Sequence, residues 1–101
     1  DRVRVRAEDV ERAGVTWAHV EAWLTENEWA QKQGLGLPHG PGGSFVHWTR
    51  STGRYTRAAC VCVYENEHAE SIANTMGSLA QHHKRAGLDI LDEMAAMEVA
   101  P

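Results

Sequence analysis

Two thiols and six imidazoles are the side chains best suited to chemistry in this chain. Cys60-Val61-Cys62 spaces the thiols by two residues, which on a β-strand puts both on one face, roughly 7 Å apart along the strand. Two thiols are half of a zinc site, and His19, His39, His47, His68, His82 and His83 are the candidates for the remainder. None of these histidines stands at a zinc-finger or zinc-ribbon spacing. A disulfide between residues two apart on a strand is strained. The pattern therefore predicts small buried side chains in a reducing compartment, with no metal and no cofactor.

Other groupings have simpler structural uses. Ser44 and His47 are within local reach of one another, but no acid is placed to orient the imidazole, as an activated serine requires. Glu65, Glu67 and Glu70 with His68 offer metal-binding atoms, and equally make the negatively charged start of a helix. Residues 34–43, Gly-Leu-Gly-Leu-Pro-His-Gly-Pro-Gly-Gly, are glycine-rich but lack the Gly-Lys-Ser/Thr of a phosphate-binding loop and lead into a strand. No catalytic residue is assigned, and the expected action is binding.

The elements that must position these residues follow from periodicity. Arg2 to Arg6 alternates base and valine, which fits either a short edge strand with Val3 and Val5 inward or a frayed terminus. Ala7 to Ala13 reads as a helix with acids in its first turn, stopped by Gly14. Thr16 then caps a helix to about Glu28, with Trp17, Val20, Trp23 and Leu24 on one face and Trp29 packed just beyond its end. The glycine-rich residues 34–43 predict a loop with no regular element. Ser44–Thr49 and Tyr55–Tyr64 read as a hairpin turned at Arg50-Ser51-Thr52-Gly53-Arg54, with Gly53 at positive φ. Both faces of the second strand become apolar toward its end, which predicts a strand running into the interior. From about Glu67, the residues Ala69, Ile72, Ala73, Met76, Leu79, Ala80 and His83 mark one stripe of a long helix. Gly87 is the expected residue just past its end, with Leu88 folding back, and Asp89 caps a last short helix bearing Ile90, Leu91, Met94 and Met97.

The fold expected is α+β over residues 1–101. A short antiparallel sheet (hairpin 44–64, with or without an N-terminal edge strand) packs against a helical hairpin, a long C-terminal helix and a short final helix.

Within this order, Ala13-Gly14-Val15-Thr16-Trp17-Ala18-His19-Val20-Glu21-Ala22-Trp23-Leu24 resembles the middle of a helix-turn-helix, over residues 7–24. That likeness implies nucleic-acid binding. The outward residues of the second helix, His19, Glu21 and Thr25, are not the Arg, Lys, Asn or Gln that read base edges. Contact with nucleic acid would instead fall to Arg4, Arg6, Arg50, Arg54 and Arg57, if the N-terminal arm lay beside the hairpin.

A helix ending in Trp, Gly43-Ser44 opening a strand, a hairpin and a long helix is similar to the HicA family of small RNA-cleaving toxins. The resemblance implies a double-stranded-RNA-binding-type fold and a catalytic histidine directly after Gly-Ser. Here Phe45 follows Gly43-Ser44, and His47 stands two residues further on, so no catalytic residue is carried over.

Charge narrows the partners. The net charge is −4, but residues 1–57 hold eight bases against seven acids and residues 58–101 only two against seven. A nucleic-acid binder usually carries a basic excess on its binding element. The longest apolar run, Ala58 to Tyr64, is far short of the roughly 20 residues of a membrane helix. Two cysteines make no disulfide framework and suit a reducing compartment, so a cytoplasmic location is expected. Four Trp and three Met are more apolar area than so small a fold readily buries. Trp29, Trp48, Met94 and Met97 are therefore the expected contacts with a protein partner or a second copy. The function expected is a small regulatory or inhibitory module of bacterial or phage type that works through protein contacts.

Overall fold

The computed structural model describes residues 2–31, 37–38, 44–51 and 59–99. The chain forms a small α+β fold. Helices α1 (Ala7–Ala13) and α2 (Trp17–Glu26) are followed by β1 (Ala30–Gln31), β2 (Leu37–Pro38), β3 (Ser44–Arg50), β4 (Ala59–Glu65), α3 (Ala69–His83) and α4 (Gly87–Ala95). No described helix is long and apolar enough to cross a membrane.

Local sequence accounts for the first hairpin of helices. Asp9 Oδ2 accepts the Arg6 amide at 2.9 Å and so satisfies a donor ahead of α1. Gly14 ends α1 at φ 69°, the left-handed conformation a β-carbon disfavours. At the start of α2 the Thr16 amide donates to His19 Nδ1 at 3.0 Å, an imidazole standing where a capping box usually has Glu or Gln. Helix α2 stops at Glu26, two residues short of the expected end. Glu28 then takes φ 69° and turns the chain, so Trp29 enters the core.

The sheet is three strands wide and antiparallel. Strand β3 is central, with β4 along its whole length and β1 and β2 sharing its other side at opposite ends. Ala30 pairs with Thr49, and Leu37 with Phe45. Leu37–Pro38 is a correction, because this strand lies inside the stretch expected to hold no regular element. Pro38 is compatible with it because an outer strand can spare a donor. The expected turn at Gly53 and the strand start at Tyr55–Ala58 lie outside the described residues.

Val46 and Trp48 of β3 and Val61 and Val63 of β4 point to one face. They join Val20, Trp23, Leu24, Trp29, Ile72, Met76, Leu79, Ile90, Leu91 and Met94 in one continuous core. Helix α3 packs on β4, while α1 and α4 pack on α3. The Trp17 ring meets Trp48 edge-on, with centroids 6.4 Å apart. On the opposite face of the β3–β4 pair, Cys60, Cys62 and Tyr64 are exposed and His47 is half-buried.

Three further expectations are corrected at the chain's ends. Arg2–Arg6 forms no strand and instead lies against the start of α4, where the Gly87 and Leu88 amides donate to the carbonyls of Val3 and Arg2, each at 3.0 Å. Those amides belong to the first turn of a helix, which has no internal acceptors for them, so the arm satisfies them. Gly87 is thus the first residue of α4, not the residue past α3. Lys84 closes α3 in the left-handed conformation, φ 53°, and Ala86 rather than Asp89 stands ahead of α4. Asp89 and Asp92 instead hold the Arg2 guanidinium, Asp89 at 3.0 Å.

Candidate functional site on the open sheet face

The alternation of β3 and β4 that sends four residues into the core sends His47, Cys60 and Cys62 outward together. His47 pairs directly with Cys62, and Cys60 is one step of the same face further along β4. Cys60 Sγ lies 3.2 Å from His47 Nδ1, and Cys62 Sγ lies 3.7 Å from Nδ1 and 3.8 Å from Nε2. The three donor atoms fall within 4.8 Å of one another. Partial burial pushes the Cys62 thiol up, and Cys60 beside it adds to the shift.

This placement corrects the expectation for the cysteines. They are exposed, on the face of β4 opposite Val61 and Val63, which the helices cover. The signal available in sequence was the strict alternation of Cys60 and Cys62 with Val61 and Val63. Nothing there revealed that His47, thirteen residues upstream of Cys60, would be their neighbour across the strand pair.

The residues expected to meet a partner are placed differently. Trp29, Trp48 and Met94 are core residues, and Met97 is half-buried against the core. Each of the three buried indoles finds an acceptor for its N–H, which lets the fold absorb them. Trp23 donates to Glu93 Oε1 at 3.2 Å, Trp29 to His83 Nε2 at 3.1 Å, and Trp48 to Glu65 Oε2 at 3.3 Å. The acceptors respond. Arg85 and then Trp23 hold the Glu93 carboxyl below its usual range. Burial raises Glu65 despite the hydrogen bond from Trp48, and burial lowers His83.

Of the arginines, Arg4 and Arg6 are exposed, beside Glu70 and Asn74 of α3. Arg50 is half-buried and donates from Nε to the Asn27 carbonyl at 2.9 Å. Arg54 and Arg57 lie outside the described residues. The acids after β4 separate as well: Glu65 serves Trp48 and Gln31, while Glu67 accepts the Trp17 amide at 3.3 Å. The Ser44 side chain is outside the described set, which leaves His47 with the two thiols as the one assembled group of metal-ligand type among the described residues.

No family model, no curated protein and no solved structure matches this chain. The helix-turn-helix and HicA likenesses therefore rest on local pattern and element order.

Proposed function

We propose that this protein is a small regulatory or inhibitory module that acts by pairing with another polypeptide strand along the outer edge of β4, with a second copy of the chain as its partner. The observation that carries this reading is the composition of that edge. Ala59-Cys60-Val61-Cys62-Val63-Tyr64 contains no charge, no proline and no glycine before Glu65. Among the described residues β3 is the one strand that β4 pairs with, and the Tyr64 carbonyl also accepts the Asn66 amide at 3.0 Å.

Natural edge strands are ordinarily blunted by Lys, Pro, bulges or covering segments, because every second residue offers its N–H and C=O sideways. An edge that carries no Lys or Pro from Ala59 to Tyr64 suits strand addition. Antiparallel pairing of β4 with β4 about a two-fold axis is self-complementary and places like residues in equivalent surroundings. The exposed ring of Tyr64, 37% accessible, adds apolar area beside that edge.

The test is the molar mass of the reduced chain by light scattering over a rising concentration series, with amide exchange read on β4. The reading expects a dimer that forms with concentration and protects the outer β4 amides. It also expects about tenfold weaker association for Tyr64→Lys, which puts a charge at the edge without touching the core. A monomer throughout the series, or a dimer whose β4 amides exchange freely, overturns it.

A further inference from the structure

We propose that His47, Cys60 and Cys62 form a site for one Zn²⁺ ion on the sheet face opposite the core, with the fourth coordination position left to water or an external donor. The donor set is two thiolates and an imidazole, the combination that selects zinc-type ions over hard cations such as Mg²⁺ or Ca²⁺.

The geometry is close to what the ion needs. Zn–S bonds of about 2.3 Å and Zn–N bonds of about 2.0–2.1 Å at tetrahedral angles put donor atoms about 3.5–3.8 Å apart. The Cys62 Sγ to His47 Nδ1 distance of 3.7 Å already lies in that range, and the Cys60 Sγ to Nδ1 distance of 3.2 Å is a few tenths short. The backbone also holds the residues in register: His47 is the ladder partner of Cys62, and β3 and β4 pair from Ser44↔Glu65 to Arg50↔Ala59. A pair of strands is a rigid support, so the three donors need no loop to fold around the ion.

Three further features belong to a binding site rather than to packing. The cysteines are exposed, whereas a thiol used only as a small apolar side chain is buried. All three donors face away from the core, so binding an ion displaces no core residue. Three protein ligands leave one position of a tetrahedral ion to an external donor, the arrangement of an open zinc site and not of a closed structural one. Binding replaces each S–H by an S–Zn bond and releases the proton to solvent, with no redox change.

The experiment uses the reduced, metal-free chain titrated with Co²⁺ as the spectroscopic stand-in for Zn²⁺, followed by competition with Zn²⁺. One equivalent should produce sulfur-to-cobalt charge-transfer absorption and the d–d bands of a four-coordinate ion, both abolished by Zn²⁺. Cys60→Ser and Cys62→Ser should each remove about half of the charge-transfer intensity, and His47→Ala should keep it. All three should weaken binding about tenfold or more, with near-UV circular dichroism unchanged because none of them touches the core. Absence of charge-transfer absorption overturns the proposal, as does affinity unaltered by the cysteine variants or a preferred Cys60–Cys62 disulfide. Tyr64→Lys separates this site from strand pairing, since a monomeric variant should still bind one ion.

Discussion

Gly87 lies directly beneath Val5: a β-carbon built on Gly87 would stand 2.7 Å from Val5 Cγ2 and 2.8 Å from the Val3 carbonyl oxygen. The contact is possible because Gly87 has no side chain. It joins the N-terminal arm to the first turn of α4, 82 residues away in sequence.

Gly87→Ala should therefore destabilise the fold by about 1–3 kcal/mol, the usual cost of forcing an extra methyl into a packed site. The better helix propensity of alanine offsets about 1 kcal/mol at most. The urea midpoint measures the balance, and a midpoint equal to or above the parent's would show that the arm does not dock as described.

Lys84→Gly should act in the opposite direction. Lys84 closes α3 at φ 53°, where a β-carbon crowds the following carbonyl at a cost of about 1–2 kcal/mol. Glycine takes this conformation freely but loses more chain entropy on folding. A net gain of up to about 1 kcal/mol is expected by denaturant titration, and a loss would mean that the Lys84 side chain contributes more than its backbone strain costs.

Stability should fall on the acid side of neutrality through His83. Burial, then the charges of Arg50, Arg85 and His82, hold its imidazole below the ordinary value, with Glu93 opposing. The folded value lies below the unfolded one, about 6.5. Its stabilising contribution is therefore complete above the unfolded value and is lost as pH falls through the folded one. His83→Gln keeps an acceptor for the Trp29 indole and removes the titration. The gap between the two stability curves from pH 7 to pH 5 should accordingly narrow or reverse, and parallel curves would contradict this.

Glu65→Gln tests the opposite sign. Burial raises the Glu65 carboxyl against the hydrogen bond from Trp48, and the charge of Glu21 adds to the rise. A raised folded value makes the neutral form the favourable one, so that contribution is present below the unfolded value, about 4.3, and lost as pH rises through the folded value. Glutamine retains an oxygen for the Trp48 N–H without the charge. Its thermal midpoint should exceed the parent's at pH 7 and approach it near pH 4, whereas a lower midpoint at pH 7 would show that Trp48 needs the ionised carboxylate.

Much of the fold was legible because the signals are local. Gly14 and Thr16 bracket the turn between α1 and α2 through backbone preferences that act within one helical turn. The spacing of Ile72, Met76 and Leu79 marks the buried stripe of α3. The period-two pattern of β4 assigns Val61 and Val63 to one face and Cys60 and Cys62 to the other.

The candidate site was less legible, because periodicity separates two faces without saying which one the helices will cover. The cysteines were expected inside and are exposed. Three tryptophan indoles are buried, since Glu93, His83 and Glu65 arrive from distant segments to accept their N–H groups.

By itself, then, the sequence determined the helices, the strand alternation and the pairing of two thiols on one face, all consequences of interactions within a few residues. Only the tertiary structure decided that Val5 covers Gly87, that His47 stands against Cys60 and Cys62, and that the two cysteines are exposed. Those outcomes depend on which surfaces are closed off together when strands register and helices pack, a choice set by the burial of the whole core and not by any one segment.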